Sequence, residues 1–156
     1  MNLDKLRGKI DALDSKIIDL FNQRANVVKE IGAIKNRKNA QIYAADREKQ
    51  VFEKVSAKNK GPLSDKCLFA VYRELMAGSI MLERPVKVSY LGPEGTFSYF
   101  AAKEKFGSSI EYLSLNGIDS VFKEVESERA DYGIVPVENS TEGGIRETLN
   151  MFIECD

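Results

Sequence analysis

Residues 3–35, LDKLRGKIDALDSKIIDLFNQRANVVKEIGAIK, decide the architecture of the first half of the chain. Leu6, Ile10, Leu13, Ile17, Leu20, Arg24, Val27, Ile31 and Ile34 recur at alternating spacings of four and three. That is the seam of a heptad helix. Asn2 is placed to cap its start, and Asp4 suits the first turn. A helix over residues 3–37 is about 50 Å long at ~1.5 Å per residue. A compact unit of roughly 85 residues has a radius of gyration of only about 12 Å. Such a helix projects beyond its own domain, and its apolar seam needs a second chain to cover it. The pattern therefore predicts a homodimer formed through the first helix. Gly32 reads as a mild weak point in it.

Working outward, Asn36–Asn39 (NRKN) is a polar break. A second helix is expected from Asp46 to Lys58 with Val51, Phe52 and Val55 inward, ended by Lys60-Gly61-Pro62. Ser64 and Asp65 start a third, running to Glu83 with Leu68, Phe69, Val71, Tyr72, Leu75, Met76 and Ile80. Arg84-Pro85 closes it. The period then changes. Strands are expected at Val86–Leu91, Ile110–Leu113 and Tyr132–Val137, and helices at Ser98–Phe106, Ile118–Ser127 and Ile145–Phe152. Strand–helix alternation implies a largely parallel sheet. The expected organisation is α followed by α/β, with a helical domain at 1–83 and an α/β domain at 84–156.

The composition narrows the chemistry. The 156 residues contain no histidine, which removes His-based triads, dyads and metal sites. Cys67 and Cys155 are too few for a disulfide framework, and a reducing cytoplasm is expected. No metal or cofactor is expected. No apolar run approaches the ~20 residues that span a bilayer, and the charged N-terminus is no signal peptide. The net charge of −1 hides an asymmetry: residues 1–85 carry +6 and residues 86–156 carry −7. The basic half suggests an anionic partner, although solvated helix faces account for most of these lysines. Interleaved Asp4, Asp11, Asp14 and Asp19 argue against nucleic acid.

Arg24 is the anomaly of the seam. It either snorkels to the surface, joins a buried ion pair, or points into a pocket for an anionic ligand. Arg7, Lys35, Arg47 and Glu48 are further charged candidates. The ordered segments LRGKIDALD, the Arg24 position, IGAIK, YAADRE and SIMLE together resemble the all-helical chorismate mutases over residues 3–83. The resemblance implies an intertwined dimer of three-helix chains that rearranges chorismate to prephenate. It implies that Arg7 reaches a carboxylate in the partner's site and that Arg24 holds the other carboxylate. Lys35 would donate to the ether oxygen. Glu48 would bind the substrate hydroxyl with Arg47 supporting it, and Ser79 and Glu83 would supply the third-helix polar positions. A pericyclic reaction needs positioning and donors rather than a nucleophile, so a histidine-free chain is no obstacle. Two departures stand out. Ala44 replaces an aspartate that some members carry, and Glu83 stands where members have Gln or Glu. A glutamate donates only when protonated, which predicts activity favoured at lower pH.

In the second half, GPEGTFS (92–98) is a glycine-rich turn after a strand, able to expose N–H groups and hydroxyls to an anion. With DYGIVPVENSTEGGIRETL (131–149) it resembles the first part of prephenate dehydratase, a periplasmic-binding-protein-like α/β unit. That likeness implies a cleft lined by Thr96, Ser98, Glu138, Asn139 and Ser140; a capping turn plus a strand end is the plainer alternative. The family's Thr-Arg-Phe motif and phenylalanine-sensing domain are absent, so the chain is expected to be a partial bifunctional protein that rearranges chorismate without dehydrating prephenate. The competing reading is a non-catalytic helical dimerisation module with an α/β ligand-sensing appendage.

Overall fold

The computed structural model describes residues 2–37, 45–140 and 143–155. The first helix, α1 (Leu3–Arg37), is 35 residues long, as the heptad pattern requires. Asn2 caps it, its side-chain oxygen accepting from Asp4 N at 3.2 Å. Asn36 and Arg37 of the expected polar break are still helical, and the rest of the break lies outside the described residues, as does Ala44.

Helix α2 (Ala45–Lys58) and helix α3 (Asp65–Glu83) follow. Ser64 caps α3 by accepting from Cys67 N. The Asp65 carboxylate ties the two helices together, accepting from Ser56 Oγ at 2.5 Å and Asn59 Nδ2 at 2.6 Å. Phe52 meets Phe69 edge-on, with ring centroids 5.0 Å apart. Helix α3 is the hub: both α1 and α2 pack on it.

Gly32 corrects its expected role. A Cβ there would lie 3.0 Å from Glu83 Cα, so glycine lets α1 and α3 approach closely. The intrachain face of α1 runs through Arg24, Val28, Gly32 and Lys35. The apolar seam lies largely off this face: Ile10, Leu13, Ile17, Leu20, Val27, Ile31 and Ile34 are all exposed. Of the larger side chains expected to fill α3, Val71 is exposed and the others are partly buried; Ala77 and Ser79 are its fully buried positions.

The second half is a three-stranded parallel sheet in the order β2-β1-β3. Its strands are β1 (Lys87–Leu91), β2 (Glu111–Leu115) and β3 (Tyr132–Ile134). Helix α4 (Phe97–Phe106) connects β1 to β2, and α5 (Ile118–Glu126) connects β2 to β3. Val88 and Tyr90 join a core with Ala102 and Phe106 of α4 and Ala77 of α3. On the opposite face, Gly133 lies against Val121 and Val125 of α5 beside Ser89. The central strand is thus covered on both sides, as parallel sheets require.

The expected third strand is too long. It stops at Ile134, two residues before Pro136, which has no N–H to continue the ladder. A short antiparallel pair follows instead, β4 (Glu138–Asn139) with β5 (Gly143–Gly144), then helix α6 (Arg146–Glu154). Buried Thr148 of α6 donates to Pro136 O at 2.7 Å, and Phe152 packs on Phe122 of α5.

The two halves share one seam of packing. Gly107, with φ +82°, ends α4 where an added Cβ would fall 2.7 Å from Ala77 Cβ. Both Glu74 carboxylate oxygens accept from Ser108 N at 2.9 Å. Arg84 pairs with Asp131, which also accepts from Lys87 N.

Candidate active site

A cleft of about 360 Å³ opens between α1, α2 and α3, within the roughly 300–1,000 Å³ range of small-ligand sites. Arg24 and Lys35 reach it from α1, Arg47 and Glu48 from α2, and Ser79 and Glu83 from α3. Six of the seven helical-half candidates therefore share one space. Helical periodicity explains how. Ser79 and Glu83 are four apart on α3, so both project on one face. Arg24 and Lys35 are eleven apart on α1, three turns, and again share a face.

The cleft's polar wall is ordered. Arg24 Nη1 donates to Ser79 Oγ at 2.5 Å, and Ser79 Oγ in turn donates to Leu75 O at 2.6 Å. No carboxylate pairs with Arg24 among the described residues, so the buried ion-pair alternative does not hold there. Lys35 Nζ lies 2.8 Å from Glu83 Oε2, with the Glu83 side chain 10% exposed. Arg47 Nη1 donates to Gln50 Oε1 at 3.2 Å. Val28, Ile31, Val51, Met76 and Ile80 supply the apolar lining. By pattern alone, Ile31 belongs to the dimer seam and Met76 and Ile80 to the core. Their place in the cleft was hidden because an apolar pocket wall has the same period as a core face.

Arg7 is not in this cleft. It lies on α1 about 25 Å from Arg24 along the helix axis, exposed, with Asp4 Oδ1 3.7 Å away. A second cleft of about 480 Å³ adjoins the first through Arg24, Arg47 and Val51. Lys54, Lys58 and Lys60 line it, and among the described residues no carboxylate does. The arrangement thus offers two guanidinium forks, an oriented ammonium and a positive approach, a set suited to a small carboxylate-bearing ligand.

The five candidates in the α/β half sit where two neighbouring parallel strands end. Thr96 and Ser98 follow β1; Glu138, Asn139 and Ser140 follow β3. The order β2-β1-β3 sends the chain in opposite directions from β1, and such switch points form ligand crevices in open α/β sheets. Thr96 also has the plainer role: its hydroxyl caps α4 by accepting from Tyr99 N at 3.3 Å and donates to Leu91 O at 3.1 Å. Ser98 is buried, while Glu138, Asn139 and Ser140 are exposed. Among the described residues, no helix is long and apolar enough to cross a membrane.

Comparison with known proteins places these features. The family model described as chorismate mutase type II matches residues 6–84, and the prephenate dehydratase model matches residues 88–156. A bifunctional chorismate mutase/prephenate dehydratase from Aquifex aeolicus is 45% identical over 99% of the chain. Its namesake from Stutzerimonas stutzeri is 42% identical over 99%, and that from Escherichia coli 25% identical over 94%. The chain spans 44%, 44% and 42% of these relatives' lengths, respectively. A solved structure, chorismate mutase (form II) from Thermus thermophilus, aligns with a TM-score of 0.51 at 27% identity, covering 52% of this chain and 92% of that one. With half its length, residues 6–84, matched by the chorismate mutase type II model, the chain belongs to that family.

Proposed function

We propose that residues 1–83 form a unit that rearranges chorismate to prephenate, and that residues 84–156 contribute to a prephenate dehydratase cleft. The observation that carries the first statement is the single cleft shared by Arg24, Lys35, Arg47, Glu48, Ser79 and Glu83. The second rests on the placement of Thr96, Ser98, Glu138, Asn139 and Ser140 at the ends of β1 and β3.

The mutase reaction breaks the ether C–O bond while a C–C bond forms, with no net proton transfer. Negative charge grows on the ether oxygen, so a donor aimed there lowers the barrier. Lys35 is that donor, held in place by Glu83. Arg24, oriented by Ser79, takes one carboxylate in a bidentate grip. Glu48 accepts from the substrate hydroxyl, supported by Arg47. Confining the flexible substrate in its reactive fold supplies much of the acceleration.

The second carboxylate falls to Arg7 of the partner subunit. Arg7 stands too far along α1 to serve its own cleft, and the exposed seam around it fits a second copy. The protein is thus a homodimer through α1. With two cysteines, too few for a disulfide framework, the compartment we propose is a reducing cytoplasm.

The test is loss of chorismate followed by absorbance on the 156-residue chain. No turnover above the uncatalysed rate rejects the mutase assignment. Glu83→Gln refines it: if Glu83 acts by holding Lys35 in place, replacing the ion pair by a neutral amide should lower kcat/KM for chorismate. An unchanged kcat/KM would show that Lys35 needs no such hold.

A further inference from the structure

Glu48 stands in the wall between two clefts. On one side lies the cleft that holds Arg24 and Lys35. On the other, a cleft of about 480 Å³ runs between α2, α3 and α4, with Phe52 and Phe69 among its lining and Lys105 on its far side. Lys105 Nζ reaches across to within 3.6 Å of Glu48 Oε2. The Glu48 side chain is 17% exposed and that of Lys105 49%. A residue of the α/β half therefore touches the polar wall of the proposed mutase site.

Resting on the mutase reading above, we propose that Lys105 is a positioning residue for Glu48, so that the α/β half supplies part of the mutase site's support. Such a contact matters for Glu48. It lies in the first turn of α2, a helix that packs on α3. Helix ends fray, and each contact made by a carboxylate there narrows the rotamers it samples.

Lys105 is well placed to hold it. The end of α4 packs closely on α3: a Cβ at Gly107 would fall 2.7 Å from Ala77 Cβ, which leaves no room for a side chain between them. Just beyond α4, Glu74 of α3 accepts from Ser108 N and Ser109 Oγ. Ala102 and Phe106 of α4 are locked into the core beside Ala77, Val86 and Val88. Lys105 sits between these anchors, in the last turn of α4, where the helix dipole favours a cation. The same helix starts at the Thr96 turn, about 15 Å away. One rigid element thus links the turn of the proposed dehydratase cleft to the proposed mutase wall.

The pair is partly solvated, so its effect is modest. In the 156-residue chain, Lys105→Met should lower kcat/KM for chorismate about 2- to 5-fold. The loss should appear in kcat as well as KM, since Glu48 contacts the hydroxyl on the ring carbon next to the breaking C–O bond. Lys105→Arg should restore most of it. Lys123→Met, at a lysine paired with Asp119 on α5, should change nothing. The cycle is completed with Glu48→Gln, reading prephenate affinity by calorimetry in all four combinations. Lys105→Met should weaken binding beside Glu48 and have no further effect beside Gln. A silent Lys105→Met, or an equal effect in both backgrounds, overturns the proposal while an active natural chain leaves the mutase reading standing. A natural chain that leaves chorismate untouched removes both.

Discussion

The central strand of the α/β half and the long helix of the first half bury their apolar residues by different means. In β1 and the residue before it, Val86, Val88, Ser89 and Tyr90 are at most 1% exposed, sealed by α3 and α4 on one face and α5 on the other. In α1, Leu13, Ile17 and Leu20 are between 45% and 61% exposed although their spacing is as regular as any in the chain. Both segments carry a strong hydrophobic pattern. Only one finds its partners within the same polypeptide. A crossover brings helices onto a strand within some twenty residues of it, whereas an extended helix can be covered along its whole length only by something equally long. The site follows the same division. Six of the seven proposed site residues converge inside one chain, and Arg7 is left on the projecting part.

The contrast can be broken experimentally. Arg24→Ala should have the largest effect, lowering kcat/KM for chorismate about 100- to 1,000-fold by removing a transition-state carboxylate grip. Sedimentation should show the same oligomer before and after. If the oligomer dissociates, Arg24 is a packing device and not a ligand.

Ile17→Glu comes next. A charge in the seam should dissociate the proposed dimer and cut activity about 10- to 100-fold, with recovery as protein concentration rises. An unchanged sedimentation coefficient together with full activity would place the dimer surface elsewhere.

Val88→Ala should cost about 2 kcal/mol by denaturant unfolding, through lost methyl burial and the cavity left behind. That cost should not depend on protein concentration, in contrast to the seam variant. A concentration-dependent cost would mean that the second half also depends on a second chain.

The smallest effect is expected at Asp65, whose pKa is lowered by hydrogen bonds from Asn59 and then Ser56. A lowered native pKa means that the unfolded chain takes up the proton first. The contribution is therefore present above the ordinary carboxylate value of 3.8 and is lost as pH falls through the native one. Asp65→Asn should flatten the acid limb of stability between pH ~5 and ~2. An acid limb that matches the natural chain would assign the sensitivity to other carboxylates.

Much of this was legible from local pattern. The alternation of three and four in α1, the Ser64 cap and the change of period after Pro85 are short-range signals, and the elements fall where they indicate. The cleft was legible as residues but not as a wall, since Ile31 read as dimer seam and Met76 and Ile80 as core. Gly32 read as a weakness because its value lies in the Glu83 backbone 3.0 Å away, 51 positions later. The β4–β5 pair was missed because two-residue strands carry no alternation to detect. The Lys105–Glu48 contact was beyond reach, being an encounter between halves 57 positions apart.

The sequence by itself determined the lengths and faces of the helices, the absence of imidazole chemistry and a seam too long for one chain to cover. These follow from periodicity and composition, which act within a few turns of each residue. Only the tertiary structure decided which face of α1 docks on α3, that Arg24 meets Ser79 with no carboxylate beside it, and that α4 brings Lys105 against Glu48. Such choices depend on close approach and mutual exclusion between distant segments, and no local pattern encodes them.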